Sequence, residues 1–380
     1  MKINTLGIIL MLLSLPNAIS VFYFEAKAVR MRNGKPGVFI THILHKIHLI
    51  VIVKTQPVIY TWGIETDWVL LFKEGLFMPS TYAHYRMGRE VAGELTGEAW
   101  HTLSMYRQLY LIGLHGPDIL FYYKPLKSNA INGIGYGMHG RPGIEFFEHA
   151  VKVIENKDNK APYLAYMYGV MCHFALDVTC HGYIDEKIEK SGVTHAEIEV
   201  EFDRMLMETD GLDPLRHSLT DHIVPSMRNA KVISCFYEGI TSEQVKEALE
   251  GMISYNKLLL APSKFKRAVV NGILKASGNY KEMHGLMVNY KPNPLCEDSS
   301  RRLMELYKKA EKLAVQLINE YSELDDWNPV YKYTFGSKLM DENINGILPE
   351  ADHKRDGGLS DIYDRTKQQG NHIVKGGMPA

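Results

Sequence analysis

Residues 162–189 read PYLAYMYGVMCHFALDVTCHGYIDEKIE. Pro162 suits a first helical turn, where its missing N–H is not needed. Ser191-Gly192 supplies a stop. Nothing between them breaks a helix, so the stretch predicts one long helix. His173, Asp177 and His181 stand in it at i, i+4 and i+8. Four residues advance an α-helix by slightly more than one turn, so the three side chains share a face. Imidazole nitrogen and carboxylate oxygen are both good zinc ligands, but one helix cannot wrap a metal. The next predicted helix (HAEIEVEFDRMLMET) opens at a capping box, Thr194-x-x-Glu197, and offers His195 and Glu199, again i and i+4. Either pair alone reads more simply as hydrogen-bonded core or surface residues. Both pairs on adjacent helices point to a metal site. Burying three imidazoles and two carboxylates without a metal or a dense network to pair them is costly.

Working outward, residues 80–95 predict a helix capped by Ser80 or Thr81, and 98–113 a second that ends at Gly113. A loop follows (LHGPDILFYYKP), punctuated by Gly116-Pro117. Residues 129–141 (NAINGIGYGMHGR) are so rich in glycine that an irregular segment is expected. Pro142 starts a helix to about Glu155. A second capping box, Thr241-x-x-Gln244, starts one to about Leu260, and helices are expected near 263–276 and 300–324. Strand-like alternation is sparse from residue 78 onward, so the fold class is all-α, a multi-helix bundle with a metal site between helices.

This pattern divides the chain into a catalytic region at 78–215, a helical region at 216–348 packing on it, and a flexible tail at 349–380 rich in Gly, Asp, Lys and Gln. Residues 1–77 differ from the rest. Met1 to Ala28 imitates a signal peptide, with Lys2, the apolar run Leu6 to Leu15 and the small-x-small triplet Ala26-Lys27-Ala28. Residues 29–77 lack caps and a clean amphipathic period. Codons for Lys73-Glu74-Gly75 can spell a bacterial ribosome-binding sequence just before Met78. The expectation is a non-native or signal-like extension, with translation starting at Met78 and a cytoplasmic protein. Secretion through residues 1–28 is the alternative.

Bulk chemistry narrows the function. The 380 residues hold 43 Lys plus Arg against 44 Asp plus Glu, so there is no electrostatic case for a nucleic-acid backbone as the main partner. Cys172, Cys180, Cys235 and Cys296 form no C-x-x-C pair and read as free thiols.

Three further candidates lie upstream of the long helix: His84 on the first helix, Asp118 in the Gly-Pro loop and His139 in the glycine-rich segment. In order, the chain carries His84-Tyr85-x-x-Gly88, Gly116-Pro117-Asp118, Met138-His139, His173-x-x-x-Asp177-x-x-x-His181 and His195-x-x-x-Glu199. Over about residues 78–210 this resembles the zinc-dependent phospholipase C family, whose fold is shared with certain single-strand nucleases. The resemblance implies two or three zinc ions. One would take Asp118, His139, His173 and Asp177, and a second His181, His195 and Glu199. The third would take His84 and Asp177, with Asp177 bridging. In secreted members the N-terminal Trp completes the third, whereas here neither Met1 nor Met78 is followed by Trp. Those members also carry an aromatic residue after the loop aspartate that helps hold choline, where this chain has Ile119.

The resemblance implies a hydrolase of phosphodiester bonds acting on a phospholipid or related diester, with transient contact with a membrane surface. Two metals can activate a water and neutralise charge in the transition state. Asp118 is the candidate to accept the water's proton. Rival expectations are a nuclease or other phosphoesterase on the same fold, and a membrane-associated protein whose zinc only staples helices.

Overall fold

Capped, amphipathic segments of the kind read above form helices through most of the described residues. The computed structural model describes residues 6–14, 18–26, 80–125, 128–276, 280, 284–321 and 328–336. The proposed start at Met78 and the tail from residue 349 lie outside them. The chain divides into two units. One contains β1 (Leu6–Ser14) and β2 (Ala18–Ala26), paired antiparallel with Leu6 opposite Ala26. The other spans 76–270 and 281–380, is helical, and holds every candidate site residue.

The helical unit begins with α1 (Thr81–Glu94), α2 (Gly97–Met105) and α3 (Arg107–Gly113). The single helix expected over 98–113 is thus broken at Tyr106. A 3-10 turn follows at Gly116–Tyr122, then α4 (Ala130–His139) and α5 (Gly143–Glu155). The central element is α6 (Ala161–Ser191), which ends on Gly192 at φ 68°, with α7 (His195–Thr209) after it. Then come α8 (Met227–Ile233), α9 (Ser242–Leu259), α10 (Lys264–Ala276), whose residues from 271 on are assigned to the first unit, and α11 (Glu297–Glu320). Helix α6 packs along α11 on one side and α3 on another. That explains why it is buried nearly all round from Ala165 to Gly182: neighbours cover its apolar sides, and its polar face turns to the site. The all-α class holds for the helical unit.

The glycine-rich segment is a correction. Residues 129–141 were expected to be irregular, yet α4 occupies 130–139 and ends on His139. Each glycine costs a helix about 1 kcal/mol relative to alanine, and local devices offset this. Asn129 and Asn132 form a reciprocal capping box at its start. Gly135 lies against Phe121, where an added Cβ would come within 3.0 Å of the ring. Gly135 lets the helix lie close to the 3-10 turn that carries Asp118.

All four cysteines are free, and three of them are buried, as read from sequence.

Candidate metal centre

Four elements converge on the face of α6 that carries His173, Asp177 and His181. Helix α1 brings His84, the 3-10 turn Asp118, the end of α4 His139, and the first two turns of α7 His195 and Glu199. The buried Asp177 lies among the imidazoles. Its Oδ1 is 3.3 Å from His84 Nε2 and 3.7 Å from His181 Nε2. Its Oδ2 is 3.0 Å from His173 Nε2 and 3.9 Å from His139 Nε2. Asp118 reaches His139 Nε2 at 3.0 Å and His173 Nε2 at 3.6 Å. Glu199 Oε1 lies 3.1 Å from His195 Nε2 and 3.7 Å from His181 Nε2. All eight residues read from sequence therefore come together.

They sort into three groups whose ligand atoms lie within 4.8 Å of one another: His84, His173 and Asp177; Asp118, His139 and His173; His181, His195 and Glu199. His173 belongs to two groups, because its ring stacks on His84 with centroids 4.4 Å apart. The side chains also fit cations by their bonding. Both oxygens of Asp118, Oδ2 of Asp177, Oε2 of Glu199 and both ring nitrogens of His173 are buried and make no hydrogen bond. Buried polar atoms are nearly always hydrogen-bonded, and so many unsatisfied ones in one spot suit divalent ions. Each group offers the nitrogen and oxygen donors that zinc prefers.

Charge in the cluster agrees. Burial opposes ionisation at Asp177, Glu199, His181, His84 and His139. Even so, His173 and His181 hold Asp177 well below the usual carboxylate range. Burial likewise works against Glu199, but His195 and His181 bring it down to about 2. Burial opposes charge on His181, yet Asp177 and Glu199 raise it to about 10. His84 is raised against its burial by Asp177, and His139 by Asp118. The cluster thus attracts positive charge, as a zinc site must.

Residues that sequence reading missed orient these ligands. His139 Nδ1 donates to Gly135 O at 2.9 Å, and His181 Nδ1 donates to Phe335 O at 2.8 Å. A carbonyl can only accept, so both rings carry their proton on Nδ1 and turn Nε2 to the cluster. Gly336 N donates to His139 O at 2.9 Å, and Gly143 N to Tyr333 O at 2.8 Å. Segment 333–336 therefore straps the end of α4 to α6. Asp203 on α7 accepts from Tyr82 N at 2.9 Å, Ala83 N at 2.8 Å and Ser80 Oγ. It caps α1 two residues before His84, and its position four beyond Glu199 on the same helix face could have flagged it. Ser80 sits at the N-cap as expected, but its side chain donates to Asp203 instead of capping the helix. At the Thr194-x-x-Glu197 box only Thr194 plays its part, accepting from Glu197 N. The Glu197 carboxylate instead receives Asn293 Nδ2 at 2.8 Å.

A second histidine pair lies alongside. His115 and His222 approach Nε2 to Nε2 at 2.7 Å, and His222 stacks on Tyr85 beside His84. Burial pushes His115 well below its ordinary value and His222 down to about 3, so the pair is neutral. Gly116 follows at φ 47°, where an added Cβ would meet the His173 ring at 2.3 Å. A glycine is required there on both counts.

Among curated proteins and among solved structures, none matches this chain significantly. A model of the zinc-dependent phospholipase C family matches residues 83–250, which extends past the 78–210 read from the motifs and covers all eight site residues. Residues 83–250, somewhat under half of the chain, are thus similar to the zinc-dependent phospholipase C family, and their His, Asp and Glu side chains converge on sites able to hold metal ions.

Proposed function

We propose that the protein is a zinc-dependent hydrolase that cleaves a phospholipid or related phosphodiester. The observation that carries this is Asp177, whose two oxygens face four imidazoles at 3.0–3.9 Å between three metal-competent groups. Asp118, His139, His173 and Asp177 would hold one ion, and His181, His195 and Glu199 a second. His84, with Asp177 and His173, would serve a third. Zinc ions held by these residues would lower the pKa of a bound water and neutralise charge on a phosphoryl group.

The chain's own residues do the rest. Of the eight, His139 and His195 have the most exposed side chains, 20% and 13%, so substrate approaches on their side. Asp118 has both oxygens free of hydrogen bonds and can take a proton from an attacking water. Tyr136 stacks on Phe121 at 4.3 Å, and its buried hydroxyl has no partner. Burial and the Asp118 charge raise its pKa, so it stays a donor suited to a phosphate oxygen. Ile119 is fully buried, so it offers no surface to a choline headgroup. The headgroup is therefore to be found by screening.

Protein purified without chelator should contain at least two zinc ions per chain. It should release a phosphorylated headgroup from phospholipid in preference to cutting single-stranded DNA. Metal content of one or none sinks the reading, and faster cleavage of DNA replaces it with the nuclease reading.

A further inference from the structure

Beyond the family-matched segment the chain changes character. Residues 251–281 contain Lys257, Lys264, Lys266, Arg267, Lys275 and Lys281 and no Asp or Glu, in a chain that is otherwise nearly balanced. Helix α10 lies within this stretch. Phe265 is 80% exposed and Val269, one turn on, 47%. The Arg267 guanidinium sits 4.3 Å over the ring of Tyr290, itself 43% exposed, which extends the same surface. Six large hydrophobic residues are exposed among the described residues, and three of them are these. Scattered exposed apolar residues are normal, but a cluster rimmed by charge of one sign marks an interaction surface.

We infer that α10 is a docking helix for the surface of an anionic lipid bilayer. Phe265 and Val269 would enter the headgroup boundary, and the exposed Lys264 would face the lipid phosphates. An apolar strip flanked by lysine and arginine without acidic residues is the pattern of helices that lie in an interface. At 13 residues α10 is about 20 Å long, too short to cross a hydrocarbon core but suited to lie along it. A cavity of about 450 Å³ adjoins this surface. Leu259, Leu260, Ala261 and Arg267, at the entry to α10, line one part of it, and Tyr122 and Asp203 another. Its size is that of ligand sites. The inference rests on the phospholipid reading for the kind of surface expected, but its test does not depend on turnover.

The full-length, zinc-loaded protein is floated with vesicles of phosphatidylcholine alone, and with vesicles of equal parts phosphatidylcholine and phosphatidylglycerol. The expected result is flotation with the anionic vesicles that weakens as salt rises. Phe265→Ser should lower vesicle affinity about tenfold, and Lys264→Ala about fivefold. Both are exposed and far from the proposed ligands in sequence, so both variants should keep the wild-type melting temperature and the wild-type rate on a soluble, dispersed phosphodiester. Equal binding to both vesicle types overturns the inference, as does wild-type flotation by Phe265→Ser. Loss of a protein dimer in Phe265→Ser, with no vesicle binding by wild type, would assign the patch to a second copy and also overturn it. A protein that floats but cleaves no phosphodiester loses the phospholipase reading and keeps the docking helix. One that cleaves but does not float does the reverse.

Discussion

Helices α6 and α4 both bring histidines to the metal centre, and they do so by opposite means. In α6 the ligands sit mid-helix in a long rod buried on nearly every side. Their common face follows from helical geometry alone. In α4 the ligand is the last residue of a ten-residue helix containing three glycines. His139 is placed by what happens at the ends of α4: the Asn129 cap, the Gly135 carbonyl and the strap at 333–336. One half of the site is therefore intrinsic to a rigid element, and the other depends on contacts between residues remote in sequence. Mutation should separate the two.

The largest effect is expected at the centre of α6. Asp177→Asn removes the carboxylate that faces four imidazoles, so zinc content and turnover should fall together. Changes in groups that merely support ligands cost 10–100-fold, so turnover here should drop by at least ~10²-fold. Elemental analysis beside a rate measurement decides it, and a variant with full zinc and full rate removes Asp177 from the centre.

Next in size is a pH effect on metal uptake. In the metal-free protein the His181 imidazole is raised to about 10 and so is protonated at neutral pH. Zinc must displace that proton. Affinity should therefore rise about tenfold per pH unit between pH 7 and 8 for this one proton, with buffer-dependent heat in titration calorimetry. The stability of the chelated protein follows the same shifts. The raised His181 contributes in full below its unfolded value of 6.5, and that contribution is lost as pH climbs through 10. The lowered Glu199 contributes above its unfolded value of 4.5, and that contribution is lost as pH falls toward 2. Chelated protein should be most stable between about pH 4.5 and 6.5. A melting temperature that climbs steadily from pH 6.5 to 10 would contradict this.

The strap is tested by Phe335→Ala. Phe335 is 1% exposed and packs against Phe147, Phe174 and both His139 and His173. Truncating a buried Phe costs about 3–5 kcal/mol, read as a lower denaturation midpoint. If α4 depends on the strap as argued, zinc affinity should also weaken. Unchanged affinity would make α4 as self-sufficient as α6. Asp203→Ala leaves the Tyr82 and Ala83 amides without their acceptor and should cost about 1–3 kcal/mol. The smallest effect is Asn129→Ala, about 1 kcal/mol at the start of α4. Amide exchange should show its loss as faster opening of 130–133 with α6 unaffected.

The legible part of the molecule was the part governed by local rules. The spacing of His173, Asp177 and His181, the pair His195 and Glu199, the box at Thr241 and the overall helical class could all be read from periods and caps, because a helix places its side chains by geometry that is the same everywhere. Where the reading failed, at 129–141, glycine content argued correctly against intrinsic helix stability, and contacts with Phe121 and the 333–336 segment outweighed it.

Taken by itself, then, the sequence determined which residue types share a helix face, and that those faces are costly to bury without a metal or a dense network to pair them. Only the tertiary structure decided how the faces meet. It made His173 common to two groups, chose Asp203 as the cap of α1, and set the Nδ1 protons of His139 and His181 through the Gly135 and Phe335 carbonyls. These are pairings across long separations in the chain, apart from Gly135. No period in a sequence records them, because their energy appears only once distant segments have been packed together.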